Sequence, residues 1–324
     1  MLFFISDKLI ETKIAEFYQH QRSELLDISR KMQDFLPCVY WSSISQVSRQ
    51  DHYIEVYKLD KQNATKQRIP LSTLHQQAPI ALFKHIGSVE AQRDRIAEFA
   101  AYFSQHYHGR LLNPAQTILY GLEKRYLLEL QSGGFPTIPT DIHPSTLTQT
   151  DINNQYPNPD KYIIKPLTGE LSNSFALLST INETWLRYKQ ALVGGWIIQP
   201  ICDAVWNGEY QIIFLGRNVS HAIHKHYHMN TNQLPDQNQR DINPYTPTQQ
   251  EITLGLRIKD FFNKQLQIPL QYFRFDFLKD HDGIHILEIE MVNPGFFYRY
   301  LPTQVQTTIQ NRVANFFNHI LEVV

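Results

Sequence analysis

Hydrophobic and charged residues alternate along two short segments near the end of the chain. Residues 273–277 read Phe-Arg-Phe-Asp-Phe, and residues 286–290 read Ile-Leu-Glu-Ile-Glu. Because successive side chains of a β-strand point to opposite faces, the Arg and the Asp share one face of the first segment, and the two Glu residues share one face of the second. The pattern predicts two strands that each present two charged side chains together.

The rest of the chain mixes helical and strand periodicities. Apolar residues recur at helical spacing in several segments, which predict helices at residues 8–33, 90–107, 123–130, 180–192, 248–266 and 302–324. Alternating or continuous apolar runs predict strands at residues 53–59, 80–86 and 161–165.

Three further strands are predicted in succession at residues 196–201, 209–215 and 219–225, and the turns between them favour an antiparallel meander. Residues 229–248 follow and are polar, with several Asn and Pro residues. We expect them to form a long, mobile loop over the active site.

The composition fits a globular protein of two or three subdomains. The chain has 324 residues, of which 42% are hydrophobic, enough for a large core. It contains 30 Lys+Arg and 31 Asp+Glu residues, so a formal charge of -1 gives no electrostatic reason to expect a nucleic-acid or membrane partner.

The two cysteines, Cys38 and Cys202, are far apart and form no CxxC pattern, which argues against a disulfide framework and favours a reducing cytoplasm. The apolar run at the N-terminus is too short for a signal peptide. No segment approaches the roughly 18 apolar residues of a membrane span.

The charged faces of the two C-terminal segments suggest a metal site. Buried carboxylates that lie close together repel one another unless a cation neutralises them. Asp276, Glu288 and Glu290, with the amide of Asn293 nearby, supply only oxygen ligands. Such a set suits Mg²⁺ that holds the phosphates of a nucleotide.

Four blocks of sequence, in this order, resemble the ATP-grasp superfamily, and within it the carboxylate–amine ligases related to glutathione synthetase and the cycloserine-forming ligase. The first runs from Leu112-Asn-Pro through Lys124 to Gly-Phe-Pro-Thr-Ile-Pro-Thr140, and the second is Ile163-Ile-Lys165-Pro. The third runs from Ile197-Ile-Gln-Pro to Lys225, and the fourth contains Phe273-Arg-Phe-Asp, Leu287-Glu-Ile-Glu and the following Asn-Pro.

The resemblance implies an α+β fold in which two α+β subdomains enclose ATP and an α/β pre-grasp domain precedes them. We expect the pre-grasp domain at residues 1–112, the central subdomain at 113–192 and the C-terminal subdomain, with the metal site, at 193–324. The implied reaction joins a carboxylate to an amine through an acylphosphate and releases ADP and phosphate. The implied cofactors are ATP and Mg²⁺, with Mn²⁺ as an alternative.

The resemblance also implies roles for individual residues on the nucleotide side. Lys124 and Lys165 would contact the ATP phosphates, and the Gln199-Pro200-Ile201 backbone would meet adenine. Asp203 would lie near the ribose, and Glu209 is assigned to the nucleotide as well.

The remaining implied roles concern the reacting groups. Lys225 would contact phosphate or substrate, and Arg274 would stabilise charge on the transferring phosphoryl group or the tetrahedral intermediate. Asp276, Glu288 and Glu290 would hold Mg²⁺, with Asn293 as an extra ligand. The partners are therefore a small-molecule carboxylate and an amine, with a homodimer as the default assembly.

The chain departs from the family pattern in two places. Residues 167–174 contain one Gly where relatives have several, and the Ser172 and Ser174 hydroxyls are expected to compensate in phosphate binding. Relatives often end the metal strand with Glu-x-Asn, whereas here Asn293 lies beyond Glu-Ile-Glu. The rate of turnover and the last metal ligand therefore stay open.

Other interpretations stay open at this stage. The glycine-poor segment alone supports a nucleotide-binding protein without ligase turnover, and a small-molecule kinase is a weaker alternative.

Lysines at strand ends and glutamates on strands are often solvated surface residues, and Asp203 and Glu209 could simply flank a turn. A zinc site at His224, His226 and His228 is disfavoured because no Cys or carboxylate lies among them.

Overall fold

Strand β1 (Leu2–Phe4) is buried on both faces and lies within a seven-stranded N-terminal sheet. The other strands of this sheet are β2 (Val39–Ser42), β3 (Val47–Ser48), β4 (Tyr53–Leu59), β5 (Ala64–Pro70), β6 (Ile80–Phe83) and β7 (Arg110–Leu112). β1 pairs in parallel with β2 and β6, β6 pairs in parallel with β7, and β3–β5 extend the sheet in antiparallel pairs. The continuous apolar runs of β1 and β6 are typical of parallel strands covered on both faces.

The computed structural model describes residues 1–84, 86–169, 175–190, 194–228 and 239–323. The helices of the N-terminal part are α1 (Ile10–Tyr18), α2 (Glu24–Met32), α3 (Leu71–Leu74) and α4 (Val89–His106). The sequence left one or two helices open at residues 8–33, and the structure has two; the helix predicted at 90–107 is confirmed.

A four-stranded antiparallel sheet occupies the middle of the chain, in the order β10-β9-β11-β8. Its strands are β8 (Asp141–His143), β9 (Tyr162–Pro166), β10 (Ala176–Leu177) and β11 (Trp196–Pro200). The helices in this part of the chain are α5 (Ala115–Gly121), α6 (Tyr126–Ser132), α7 (Gln149–Gln155) and α8 (Glu183–Gln190).

A five-stranded antiparallel sheet completes the structure, in the order β14-β13-β12-β15-β16. Its strands are β12 (Glu209–Leu215), β13 (Asn218–Tyr227), β14 (Arg240–Tyr245), β15 (Tyr272–Asp280) and β16 (Gly283–Glu290). Helix α9 (Gln249–Lys264) precedes β15, and α10 (Thr303–Glu322) ends the described chain. Among the described helices, none is long and apolar enough to cross a bilayer.

Strand pairing corrects two predictions. The segment at residues 196–201 is not the first strand of the C-terminal meander, because β11 pairs with β8 and β9 in the central sheet. The polar stretch 229–248 is not one long loop, because β14 lies within it and pairs with β13. Residues 229–238 of that stretch lie outside the described residues.

The division into residues 1–112, 113–192 and 193–324 stays a prediction. The pairing of β11 leads us to propose a later boundary between the last two parts, in the segment between β11 and β12. Helix α6 belongs to the central part in sequence but packs on the C-terminal sheet. Its residues Tyr126, Leu127 and Leu130 lie in one apolar cluster with residues of β12 and β15.

Asn113 joins the start of the central part to two strands of the C-terminal sheet. Its buried side-chain amide donates to the carbonyl oxygens of Tyr272 (2.7 Å) and Met291 (2.8 Å). Its side-chain oxygen accepts the backbone N–H groups of Gln271 (2.8 Å) and Tyr272 (3.1 Å). One side chain thus satisfies four backbone groups in the region where β15 begins and β16 ends.

We expect Asn113→Ala to lower the free energy of unfolding by about 3 kcal/mol, because a buried polar group left without a partner costs about 1–3 kcal/mol. Urea unfolding followed by circular dichroism would measure the change. Asn315→Ala is the matched control, since Asn315 is exposed on α10 and should shift the midpoint little. Equal midpoints for the two variants would contradict the role given to Asn113.

Candidate active site

A cavity of about 750 Å³ lies between the three sheets. Most of the residues predicted to form the site line it, and they come from both the central and the C-terminal parts of the chain. They are Lys124, Lys165, Pro200, Ile201, Glu209, Lys225, Arg274, Asp276, Glu288, Glu290 and Asn293. The cavity therefore brings together side chains that are up to about half the chain apart in sequence.

The register of β15 and β16 places the predicted metal ligands on one face of the C-terminal sheet. Asp276 is paired with Glu288, and Arg274 is paired with Glu290. Directly opposed residues of antiparallel strands point to the same face, so all four charged side chains converge. The Arg274 guanidinium binds the Asp276 carboxylate at two positions, with Nε–Oδ1 and Nη2–Oδ2 distances of 2.8 Å.

Asp276 is buried beside a second carboxylate. Burial raises the pKa of Asp276 to about 6, and the charge of Glu209 acts in the same direction, whereas Arg274 opposes both. The side-chain amide of Gln211 donates to Asp276 Oδ2 (2.8 Å) and also to Glu209 Oε1 (2.5 Å). The amide thus links the two carboxylates and helps to fix their positions.

Glu209 and Lys225 form a buried ion pair on neighbouring strands. Lys225 Nζ lies 3.1 Å from Glu209 Oε1, and the Tyr227 hydroxyl donates to Glu209 Oε2 (2.7 Å). Burial lowers the pKa of Lys225. Burial opposes ionisation of Glu209, but Lys225 and Tyr227 together hold the pKa of Glu209 below its usual range. Glu209 is therefore a buried part of the site and not a surface residue beside a turn.

Glu290 also shapes the backbone that follows β16. Its Oε1 accepts the N–H groups of Val292 (3.1 Å) and Asn293 (3.2 Å). These bonds hold Asn293 at the cavity wall beside the carboxylates.

Lys124 lies in the turn before α6, although the sequence predicted that the helix begins earlier. Its Nζ is 3.1 Å from Glu288 Oε1 and donates to the Gly169 carbonyl. Lys165 lies on β9, and burial lowers its pKa to about 8. The charge of Lys124 also lowers the pKa of Lys165, while that of Glu288 raises it. Two cations therefore face the carboxylate-bearing sheet from the central part of the chain.

The predicted adenine segment is only partly exposed to the cavity. Pro200 and Ile201 line it, together with apolar side chains of Ile138, Ile163, Val205, Leu278 and Leu287. The Gln199 side chain is instead buried, and its amide donates to Thr140 Oγ1 (2.8 Å). Asp203 is exposed and does not line the cavity. Ser172 and Ser174 lie outside the described residues.

The N-terminal part contributes a buried ion pair that the sequence analysis missed. Lys84, just after β6, pairs with Glu24 at the start of α2 and donates to the Pro294 carbonyl (2.9 Å). The Glu24 carboxylate accepts the N–H groups of Phe296 and Phe297, each at 3.0 Å. Both charged residues line the cavity. This pair, called the Glu24–Lys84 clamp below, fixes the loop at residues 294–297.

No sequence signal distinguishes Glu24 and Lys84 from glutamates and lysines that lie outside the site. Ser23 followed by Glu24 matches the start of a helix, which the structure contains, with Ser23 Oγ accepting the Leu26 N–H (3.3 Å). Lys84 follows a buried strand, where a lysine is usually solvated. Their shared partner is a loop more than 200 residues away, so only the tertiary fold reveals them.

Phe297 forms an aromatic surface under three cations of the site. Its ring centroid is 4.6 Å from Lys225 Nζ, 5.4 Å from Arg274 Cζ and 5.9 Å from Arg240 Cζ. Its φ of 54° lies in the left-handed region, which is unfavourable for a residue with a side chain. The N–H bond to Glu24 supports this conformation, so the clamp also orients the aromatic surface.

The histidines considered as a zinc site do not form a metal-binding group among the described residues. His224 stacks on Tyr210, with ring centroids 4.3 Å apart, and its Nε2–H donates to the Asn207 carbonyl (2.8 Å).

Known proteins are similar to this chain in sequence and in structure. No protein-family model matches the chain. The cycloserine biosynthesis protein DcsG of Streptomyces lavendulae is 26% identical over 216 residues, which cover 62% of this chain and 72% of that protein. The crystal structure of D-cycloserine synthetase DcsG covers 97% of this chain and 98% of its own, with a TM-score of 0.66 and 18% identity.

Two other solved structures have the same fold. A RimK-domain ATP-grasp protein from Sphaerobacter thermophilus covers 97% of this chain and 98% of its own, with a TM-score of 0.61 and 14% identity. The ATP-grasp ligase PsnB, solved with a minimal precursor, Mg and ADP, covers 97% of this chain and 96% of its own, with a TM-score of 0.57 and 11% identity.

The chain thus has the ATP-grasp fold, and the predicted α+β fold is confirmed. Its sequence is similar to that of the cycloserine biosynthesis protein, in agreement with the predicted resemblance to ATP-grasp carboxylate–amine ligases.

The lowered pKa of Lys165 leads to a pH prediction. The lysine is charged below its pKa, so the free protein should lose this charge as the pH rises through about 8. We expect the dissociation constant of a non-hydrolysable ATP analogue with Mg²⁺ to rise above that pH, by at most about tenfold per pH unit.

Lys165→Arg should remove this dependence, because a guanidinium stays protonated throughout the range. Isothermal titration at several pH values would measure both proteins. The same alkaline loss of affinity in Lys165→Arg would show that another group titrates.

A second prediction concerns the Glu24–Lys84 clamp. Lys84→Met alone should destabilise the protein strongly, because it leaves a buried carboxylate without its cation, which costs about 3–5 kcal/mol. The double variant Glu24→Gln/Lys84→Met removes both charges and should fold. Its kcat for phosphate release should fall about tenfold, since the loop at 294–297 adjoins Arg274. The KM for ATP should stay unchanged, since the apolar wall predicted to contact adenine does not adjoin that loop.

Lys66→Met, which removes an exposed ion pair with Glu55 in the same N-terminal sheet, is the matched control and should leave both constants unchanged. An equal change in kcat for the double variant and for Lys66→Met would rule out a positioning role of the clamp.

Proposed function

We propose that the protein uses ATP and Mg²⁺ to convert a substrate carboxylate into an acylphosphate, which an amine then attacks to give an amide, ADP and phosphate. The observation that carries this proposal is the convergence of Arg274, Asp276, Glu288 and Glu290 on one sheet face, opposite Lys124 and Lys165. A carboxylate is a poor electrophile, so an activating phosphorylation has to come before the C–N bond.

The donor set fits a magnesium ion. Asp276, Glu288 and Glu290 offer carboxylate oxygens, and the Asn293 side chain offers an amide oxygen, at one wall of the cavity. Mg²⁺ prefers such oxygen ligands. Bound there, it would offset negative charge on the phosphate oxygens of ATP. These four residues are therefore the proposed metal ligands.

The nucleotide is proposed to lie along the cavity from the apolar wall to the carboxylates. Adenine would pack between side chains such as Ile163 and Leu287, with the backbone at Pro200 and Ile201 along its edge. Lys165 and Lys124 would contact the phosphates. The ion pair of Lys124 with Glu288 keeps that lysine at the boundary between the phosphate and metal positions.

In the first step, a carboxylate oxygen of the substrate attacks the γ-phosphorus, and the bond to the bridging oxygen of ADP breaks. Phosphoryl transfer depends mainly on positioning and on cations near the equatorial oxygens. Arg274 is suited to this task, because Asp276 holds its guanidinium from one side and Gly295 O accepts from Nη1 (3.4 Å).

In the second step, the amine nitrogen attacks the acyl carbon, a tetrahedral intermediate forms, and phosphate leaves with the former carboxylate oxygen. The nitrogen loses a proton as the amide forms. Lys225 and Arg274 both lie over the Phe297 ring, so their charges can stabilise the oxyanion of the intermediate. The substrates are proposed only at the level of a small-molecule or peptide carboxylate and an amine.

A phosphate-release screen tests the reaction. Phosphate should appear from ATP only when a carboxylate and an amine are both present, and mass spectrometry should detect their condensed product. A kinase would need one acceptor and would leave a stable phosphorylated product. Tight ATP binding without turnover across paired amino acids and peptides would instead favour a nucleotide-binding protein.

The metal assignment has its own test. Glu288→Gln/Glu290→Gln keeps the side-chain shapes but removes two charges, so Mg²⁺-dependent phosphate release should fall at least about 100-fold, equivalent to about 3 kcal/mol. Glu98→Gln/Glu322→Gln is the control, since both residues are exposed on helices remote from the cavity lining. Unchanged turnover in the first double variant would refute the proposed metal ligands.

A further inference from the structure

A sulfur, an imidazole and a carboxylate converge at one side of the cavity, apart from the proposed magnesium ligands. The residues are Cys202, Asp280 and His285, and their possible ligand atoms all lie within 4.8 Å of one another. Each is partly buried. None has a role in the proposed ligation, and Cys202 also lines the large cavity.

The β15–β16 hairpin fixes two of the three side chains. Asp280 is the last residue of β15 and pairs with Gly283, while His285 pairs with Leu278. Asp280 Oδ1 accepts the N–H of Asp282 (2.9 Å) and that of Gly283 (3.2 Å), and His285 Nε2–H donates to the same oxygen (3.1 Å). The turn thus holds the carboxylate beside the imidazole, as carboxylate ligands of metals are commonly held by hydrogen bonds.

The third side chain comes from the segment after β11, which packs on the same hairpin. Cys202 contacts an apolar cluster that contains Ile138, Ala204 and Leu278. The Asn207 amide also donates to the Lys279 carbonyl (3.2 Å). The packing of Cys202 in this cluster and the contact of Asn207 therefore hold the sulfur near the end of the hairpin.

The geometry and donor types point to a transition-metal site. Ligands around tetrahedral Zn²⁺, with bonds of about 2.0–2.3 Å, lie about 3.5 Å apart. The His285 Nε2 and Asp280 Oδ1 atoms already meet this spacing, and a side-chain shift of about 1 Å would bring in the sulfur. Metal binding would release the Nε2 proton and the Cys202 thiol proton to solvent, so that nitrogen and thiolate both become ligands. Sulfur and nitrogen ligands select Zn²⁺ or Co²⁺ over Mg²⁺. We propose that Cys202, Asp280 and His285 bind one Zn²⁺-class ion, with water in the fourth position.

This site is independent of the proposed function and differs from the carboxylate face in its chemistry. An ion bound there would connect the segment at residues 201–207 to the β15–β16 hairpin across the apolar wall of the cavity. Because metal binding favours the folded state, it should also stabilise the protein.

Cobalt provides the direct test, because a thiolate bound to Co²⁺ gives an intense near-ultraviolet charge-transfer band. The full-length, metal-free protein would be titrated with Co²⁺ in excess Mg²⁺, which occupies the oxygen-only face. We expect one equivalent to produce the band and Zn²⁺ to remove it. Zn²⁺ should also raise the unfolding temperature and protect Cys202 from alkylation.

Two variants and two controls locate the ligands. Cys202→Ser should abolish the band and the thermal stabilisation, and His285→Ala should weaken Co²⁺ binding at least tenfold. Cys38→Ser and His281→Ala should leave both unchanged. Absence of the band in the unmodified protein, or its persistence in Cys202→Ser, would overturn the proposal. Loss of binding only in His281→Ala would assign the ion to Asp280, His281 and Asp282 of the turn instead.

Discussion

The arrangement of the site depends on one electrostatic constraint, which is that several carboxylates share a buried face of the C-terminal sheet. Glu209, Asp276 and Glu290 are buried, and the Glu288 side chain is 24% exposed. Such a group is tolerated only when cations and hydrogen-bond donors surround it. Arg274 comes from the same strand as Asp276, Lys225 from β13, and Lys124 from the turn before α6. The cations that compensate these carboxylates therefore come from two parts of the chain and meet at one surface.

Much of this face could be predicted from the sequence, because strand periodicity is local information. The alternation at residues 273–277 and 286–290 indicated which side chains share a face, and the short turn between the segments made them neighbours. The ordered motifs indicated the ATP-grasp fold for the same reason, since each block is a short contiguous segment. The helical structure at residues 8–33 and the long helix at 90–107 followed from their apolar spacing.

The parts that escaped prediction depend on contacts between distant segments. β11 is an apolar strand that would suit either neighbouring sheet, and only its pairing with β8 and β9 decides between them. β14 is polar and carries a proline, Pro244, which is typical of an edge strand and resembles a loop in sequence. The Glu24–Lys84 clamp and the four hydrogen bonds of Asn113 likewise join residues more than 150 positions apart.

The packing of α6 has a mechanical consequence for Lys124 and Lys165, the two lysines that we propose contact the phosphates. Lys124 directly precedes α6, whose apolar residues share a core with β12 and β15. Lys165 lies on β9, where its neighbour Ile164 packs with Trp196 and Leu178 in a separate core. A rigid rotation of the central sheet would therefore move Lys165 relative to α6, and Lys124 could not keep both its ion pair with Glu288 and its hydrogen bond to Gly169. The distance between Lys124 Nζ and Lys165 Nζ would then change with the degree of closure of the cavity.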